Sequence, residues 1–200
     1  MQNIYQYYKS ARDASWKTLI ECGITSLPID LTKIAEYYRI EFIKYSECGF
    51  IGLLNPEAIS GDGFITTMKD TKIIFINDKI QTRGRRRFTF GHELGHAILN
   101  HPLNNVLARN DEIDSVDSPL EMQANVFSRG ILAPTCVLNA LKVTTAEEIM
   151  QLCDISQISA NIRLERMQEL YKRQRFLTSP LERQVYEQFK DFINERRCKN

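Results

Sequence analysis

The chain lacks any window approaching the eighteen or so apolar residues of a membrane span, and its polar, aromatic start, MQNIYQYYKSARDASWK, has no apolar h-region. A soluble, unexported, cytoplasmic protein is therefore expected. Net charge is also scarce. The 26 basic residues against 25 acidic ones leave +1, which gives no global pull toward nucleic acid or an anionic membrane. The five cysteines, at positions 22, 48, 136, 153 and 198, are odd in number and include no C-x-x-C pair. This excludes a cysteine zinc site by pattern and argues against a disulfide framework, leaving reduced thiols as the expected state. There is no internal repeat and no low-complexity stretch. What is present, 43% hydrophobic residues over 200 positions, suffices for one sizeable core.

Histidine is the scarcest informative residue: all three in the chain fall in RRRFTFGHELGHAILNH, two of them within HELGH. On a helix, His92 and His96 lie one above the other, so both imidazoles reach a single external point, the geometry of two metal ligands. Glu93 sits about 100° round the helix from His92, where it can hold a water at the metal without competing for the ion. It is the candidate general base. A 3.6-residue wheel groups Phe90, Leu94, Ala97 and Ile98 away from the histidines, giving one core face and one site face.

Taken in order, residues 3–22 read as an amphipathic helix stopped by Gly23. Asp30 can cap a short helix bearing Leu31, Ile34, Ala35 and Tyr38. Tyr7, Tyr8, Tyr37 and Tyr38 read as core and rim aromatics. IEFIKY, GFITTM and KIIFIN have the β pattern, with Lys69-Asp70 as a hairpin turn and Asn77-Asp78 ending the third run. A small sheet packed on the histidine helix follows, with an edge open to an extended peptide. The helix itself is predicted from Thr82 to about Asn100. Arg83, Arg85, Arg86 and Arg87 crowd its first turns against the helix dipole, so acidic partners are expected, with the 111–117 segment a candidate source. LNNVLARNDEIDSVDS at 103–118 has no period and reads as a loop beside the site. PLEMQANVFSRGILAP reads as a helix with Pro119 in its first turn and Gly130 near its end. Beyond Pro134 the pattern is all-helical: a Thr145/Glu148 capping box, a helix begun by Ser156 or Ser159, and a Ser179/Pro180/Glu182 start for LERQVYEQFKDFINERR.

A catalytic zinc takes three protein ligands and keeps its fourth position for water. A third histidine six residues beyond His96 is missing, because Pro102 stands there and Leu99 replaces the glycine that would turn the chain. His101, one residue early, reads as an ordinary histidine at a helix C-terminus. Glu121 on the 119–130 helix is the better third ligand, with Ala124 small enough to admit close approach. Asn125, four residues on, shares its face and can hydrogen-bond the far nitrogen of a liganding histidine. The rivals Asp111, Glu112, Asp114 and Asp117 sit in a loop, where ligand geometry is harder to fix.

RRRFTFGHELGHAILNH at 85–101 and EMQANVFSRGILAP at 121–134 resemble the HExxH helix and the following E-x-x-A-N-x-F-A-x-x-L-x-P helix of the ImmA/IrrE metallopeptidases. The likeness extends over roughly residues 25–170, where LCDISQISANIRLERM is similar to that family's helix-turn-helix-like tail. Ser128 stands where alanine is usual. The resemblance implies an α+β, zincin-like fold: a small sheet packed on the HExxH helix, then an all-helical C-terminal part. It implies one Zn2+ on His92, His96 and Glu121, and Glu93 as base. For many relatives it also implies cleavage of a helix-turn-helix repressor of phage, mobile-element or stress genes. Residues 1–135 are expected to form the peptidase core. Residues 136–200 would form a helical region packed on it, with a helix pair at 145–172 and a terminal helix at 180–197. The C-terminal sensor domain of some relatives is not expected. Tyr171 and Arg163 are candidates for stabilising the oxyanion. The rival reading is a DNA- or repressor-binding regulator with a structural or weakly active metal. The packing-type placement of Ile158, Ile162 and Met167 on the would-be recognition helix speaks against direct nucleic-acid binding.

Overall fold

A computed structural model describes residues 4–51, 61–103 and 118–198. Helix α1 (Ile4–Glu21) ends at Gly23, whose left-handed φ of 57° lets Ile24 N–H return to the Leu19 carbonyl. Asp30 caps α2 (Leu31–Tyr37) by accepting the amides of Thr32 and Lys33. Three strands follow: β1 (Glu41–Lys44), β2 (Gly63–Met68) and β3 (Thr71–Ile76), in the order β1-β3-β2. β1 runs parallel to β3 and β2 antiparallel. The β2–β3 turn uses Lys69 and Asp70, both at positive φ, the conformation a two-residue hairpin of matching twist demands.

Alternation along β3 sorts the two faces of the sheet. Ile74 and Ile76 join the main core, whereas Ile73 and Phe75 join a smaller cluster with Phe64, Tyr45 and Cys48. Phe64 and Phe75 are register partners whose rings stack at 4.7 Å. That second cluster is roofed by α3 (Tyr45–Ile51), a helix the β-type reading of this region missed. The tyrosine that closed the first β-type run is α3's first residue.

Helix α4 (Arg83–Ile98) lies on the other sheet face, and α5 (Pro119–Leu132) crosses it closely. The close crossing follows from Gly91 and Gly95, one turn apart. A Cβ on Gly95 would stand 3.1 Å from the Ala124 Cα, and one on Gly91 would stand 2.7 Å from the Ser128 hydroxyl. Ser128 is fully buried and donates to the Phe88 carbonyl at 2.9 Å, so the residue that departs from the family's alanine ties the two helices together. Gly130 stands near the end of α5, as expected, and sits where α1 brings Ser15 against the backbone.

The arginines at the start of α4 find partners within the fold. Arg83 and Arg87 face Asp154, Arg85 pairs with Asp62, and Arg86 donates to the Ile80 carbonyl. The candidate 111–117 partners lie outside the described residues. Asp154 belongs to the turn between α7 (Ala146–Cys153) and α8 (Gln157–Lys172), so these ion pairs also clamp the C-terminal helices to α4. Among those helices, α6 (Thr135–Ala140) precedes the Thr145/Glu148 capping box, which forms in full, and Ser156 caps α8.

Three expectations change in this half. The single terminal helix 180–197 is two, α9 (Pro180–Gln188) and α10 (Lys190–Arg197), broken at the fully buried Phe189. Ser179 makes no side-chain cap bond; Glu182 instead reaches back to the Thr178 amide. Of the three apolar residues expected to pack from α8, Met167 does, while Ile158 is 74% exposed and Ile162 is 37% exposed. The core is nonetheless continuous, running from Trp16 on α1 through Leu94, Phe127 and Ile131 to Val185 and Ile193. Among the described residues no helix is long and apolar enough to cross a membrane.

Candidate metal centre

The end of α4 builds half of the site. Asn100 adopts φ 54°, and the amides of His101 and Asn100 return to the carbonyls of His96 and Ala97. This is a Schellman closure, and asparagine is the usual substitute for glycine at its left-handed position. Lys72 from β3 reinforces it by donating to the Ala97 carbonyl at 2.7 Å and to Asn100 Oδ1 at 3.1 Å. The reversal folds His101 back over His96. Their rings meet edge to face at 5.0 Å, with Nδ1 to Nδ1 at 3.1 Å.

Helix α5 supplies the other half. Ser118 caps it by accepting the Glu121 amide at 3.1 Å, which fixes the first turn on which Glu121 sits. Glu121 Oε2 lies 3.1 Å from His92 Nε2, Glu121 Oε1 lies 3.2 Å from His96 Nε2, and the two Nε2 atoms are 3.0 Å apart. His92, His96 and Glu121 thus form a three-donor cluster able to hold a metal ion. Donors placed tetrahedrally at about 2.0–2.1 Å from one ion stand about 3.3–3.4 Å apart, so the observed spacings are already within a few tenths of an ångström of that arrangement.

Hydrogen bonds on the far side of each ring assign the protons. Asn125 Oδ1 accepts from His92 Nδ1 at 3.1 Å, which leaves the lone pair of His92 on Nε2. Gln123 directs its amide nitrogen to the Ser10 hydroxyl at 2.7 Å and to the Tyr7 carbonyl, a group that only accepts. Its oxygen therefore takes the His101 Nε2 proton at 3.2 Å, His101 Nδ1 is an acceptor, and His96 must donate its own Nδ1 proton. In their neutral forms both His92 and His96 consequently turn a bare Nε2 toward Glu121. Two lone pairs and a carboxylate facing each other at about 3 Å call for a cation, so the donor set fits one.

Electrostatics show the same demand for positive charge at this point, which a proton on a facing Nε2 also meets. The bonds to His92 and His96 hold the Glu121 carboxyl far below the usual carboxylate range. Burial disfavours the charged form of His92, but Glu121, Glu93 and Asn125 outweigh it and its pKa is raised. Burial and the neighbouring His96 push His101 down to about 4, so it is neutral near pH 7, as an acceptor must be. Glu93 is 7% exposed beside the cluster.

The reading of His101 as an ordinary helix-end histidine leaves out two residues of the site, His101 and Gln123. The signal available was Asn100, a C-terminal turn residue standing directly before it. Of the oxyanion candidates, Arg163 donates to the Arg129 carbonyl and Tyr171 packs its ring on Phe176. The loop rivals for third ligand, residues 111–117, lie outside the described residues.

A small sheet backing a helix whose two histidines meet a glutamate from the next helix defines a zincin-like fold. The family model Peptidase_M78, IrrE N-terminal-like domain, matches residues 50–165, more than half the chain. The chain is also 32% identical over 131 residues to the "Uncharacterized immunity region protein 2" of Bacillus phage phi105, an alignment covering 66% of this chain and 73% of that protein. The chain belongs to the IrrE N-terminal-like metallopeptidase family.

Proposed function

We propose that the protein is a zinc-dependent endopeptidase acting on a helix-turn-helix repressor. The observation that carries this reading is the convergence of the His92 and His96 Nε2 atoms and the Glu121 carboxylate within 3.0–3.2 Å of each other. In this reading His92, His96 and Glu121 hold the ion and Asn125 orients His92. Zinc supplies Lewis acidity at the scissile carbonyl and makes water acidic enough to deprotonate near pH 7. Glu93, adjacent in sequence to His92 and almost fully buried, takes that proton and returns it to the leaving amine. An extended peptide can pair with an outer strand of the sheet; among the described strands these are β1 and β2. Residues 1–135 are the peptidase core and 136–200 the helical region packed on it.

The choice of substrate follows the resemblance to the ImmA/IrrE metallopeptidases, and the phage relative is itself named an immunity region protein. A cytoplasmic location accords with such a substrate. The test is incubation with the helix-turn-helix regulator encoded beside this protein, with and without chelator, followed by fragment masses. Discrete fragments that vanish with chelator and in Glu93→Gln are expected. Intact regulator under loaded, active conditions would overturn the assignment and favour a binding role.

A further inference from the structure

A second concavity, of about 760 Å3, opens between α1, α5, α8 and α9. Its size falls within the range of small-molecule sites. Six cations line it: Lys9, Arg12, Arg163, Arg166, Arg173 and Arg175. The two acids on the wall leave most of this charge standing. Asp13 is held by Arg12 at 2.7 Å, and Glu182 is 2% exposed, turned to the Thr178 amide, with its pKa raised by burial. Arg166 is engaged by Glu169 at 2.6 Å. Lys9, Arg173 and Arg175 make no ion pair among the described residues, and Arg163 has a buried Nε with no partner. The contrast with α4, where Arg83, Arg85 and Arg87 all face carboxylates, shows that this fold pairs its arginines where acids are available.

We propose that this cavity binds a small molecule carrying at least two phosphates. Four unneutralised cations match two phosphate groups at about −1.5 to −2 charges each, whereas a single carboxylate would leave three of them unbalanced. Guanidinium forks pair with phosphate oxygens two at a time, and three of the four cations are arginines. Ser179, at the start of the nine-residue α9, adds a hydroxyl that makes no cap bond. The aromatic side of the wall is Tyr5, Tyr8 and Trp16, with Arg12 over Trp16 at 4.6 Å and Arg166 over Tyr8 at 5.3 Å. With those two ring faces covered by arginines, the exposed ring of Tyr5 is the stacking surface this wall presents to a planar base, so a nucleoside polyphosphate and a free polyphosphate are the two sources of this chemistry.

The site is independent of the peptidase reading and is tested with chelator present, so that phosphate cannot bind through a metal. Titration calorimetry of the full chain uses ATP, inorganic pyrophosphate, adenosine and a hexaglutamate peptide. ATP and pyrophosphate should each saturate one site, with affinity falling steeply as salt rises, while adenosine shows no binding. ATP binding more tightly than pyrophosphate identifies a nucleotide; equal affinity identifies the polyphosphate alone. The double variant Arg173→Glu/Arg175→Glu, at two exposed positions, should weaken both at least tenfold, and Lys9→Glu on α1 should do the same. No saturable binding of either phosphate up to about 1 mM, unchanged affinity in the charge-reversed proteins, or tighter binding of hexaglutamate overturns the proposal.

Discussion

Two polar concavities share helix α5 and are built on opposite rules. In the metal pocket both histidines are oriented by neighbours: Asn125 sets His92, and Ser10, Gln123 and His101 in series set His96. In the cavity on the other side of α5, arginines and a lysine stand without acids. A pocket whose protons are all assigned asks only for one small ion of opposite charge. A pocket of unpaired cations asks for a ligand that brings several charges of its own. The difference teaches that polar density alone does not identify a site; the state of the partners does.

The contrast is broken most severely by Glu93→Gln. Losing the base should slow cleavage about 10²- to 10⁴-fold, while zinc content measured by atomic absorption stays at one ion per chain. A variant that still cleaves at the wild-type rate removes Glu93 from the mechanism. His101→Ala tests whether His96 is oriented from behind. Loss of such a partner should weaken metal affinity about 10- to 100-fold, read by chelator competition, and should shift the visible spectrum of the cobalt-loaded protein. An unchanged affinity reduces His101 to packing.

Gly95→Ala probes the helix crossing that brings Glu121 to the histidines. Its Cβ would stand 3.1 Å from the Ala124 Cα and 3.3 Å from the Ala124 carbonyl oxygen, backbone that cannot rotate away. Overpacking of about 1–3 kcal/mol should appear in thermal unfolding, together with weaker zinc binding. Arg173→Glu/Arg175→Glu should do neither, staying within about 0.5 kcal/mol of wild type; altered metal affinity in that variant would erase the distinction between the two pockets.

The smallest effect concerns Glu182 on the cavity wall. Burial raises its folded pKa above the unfolded value of about 4.3. The folded state then holds more protons than the unfolded state, so stability falls as pH rises from that value through the folded pKa. Glu182→Gln lacks this penalty, and its unfolding temperature relative to wild type should rise between pH 4 and pH 7. A difference independent of pH would mean that Glu182 is not perturbed.

Much of this was legible in the residues. The i, i+4 spacing of His92 and His96 fixes two imidazoles on one helix face, and Glu121 with Asn125 repeats that spacing on α5. Caps at Asp30, Thr145 and Ser156 formed where side-chain oxygen preceded an apolar run. The failures share a cause. α3 was hidden because its first residue continues a β-type pattern, and only the exposed apolar face of the sheet called for a roof. The break at Phe189 follows from burying that ring, a demand of the neighbouring helices. Ile158 and Ile162 lie outside because nothing among the described residues buries them on that stretch of α8.

The sequence by itself determined the ligand types and their spacing, since helical periodicity is a property of the local backbone and needs no knowledge of neighbours. Only the tertiary structure decided which protons those ligands carry. His101 reaches His96 through a Schellman turn, and its orientation depends on Gln123, held by a helix more than a hundred residues away in the chain. A tautomer is set by the partner on the opposite nitrogen, and that partner is assigned by packing.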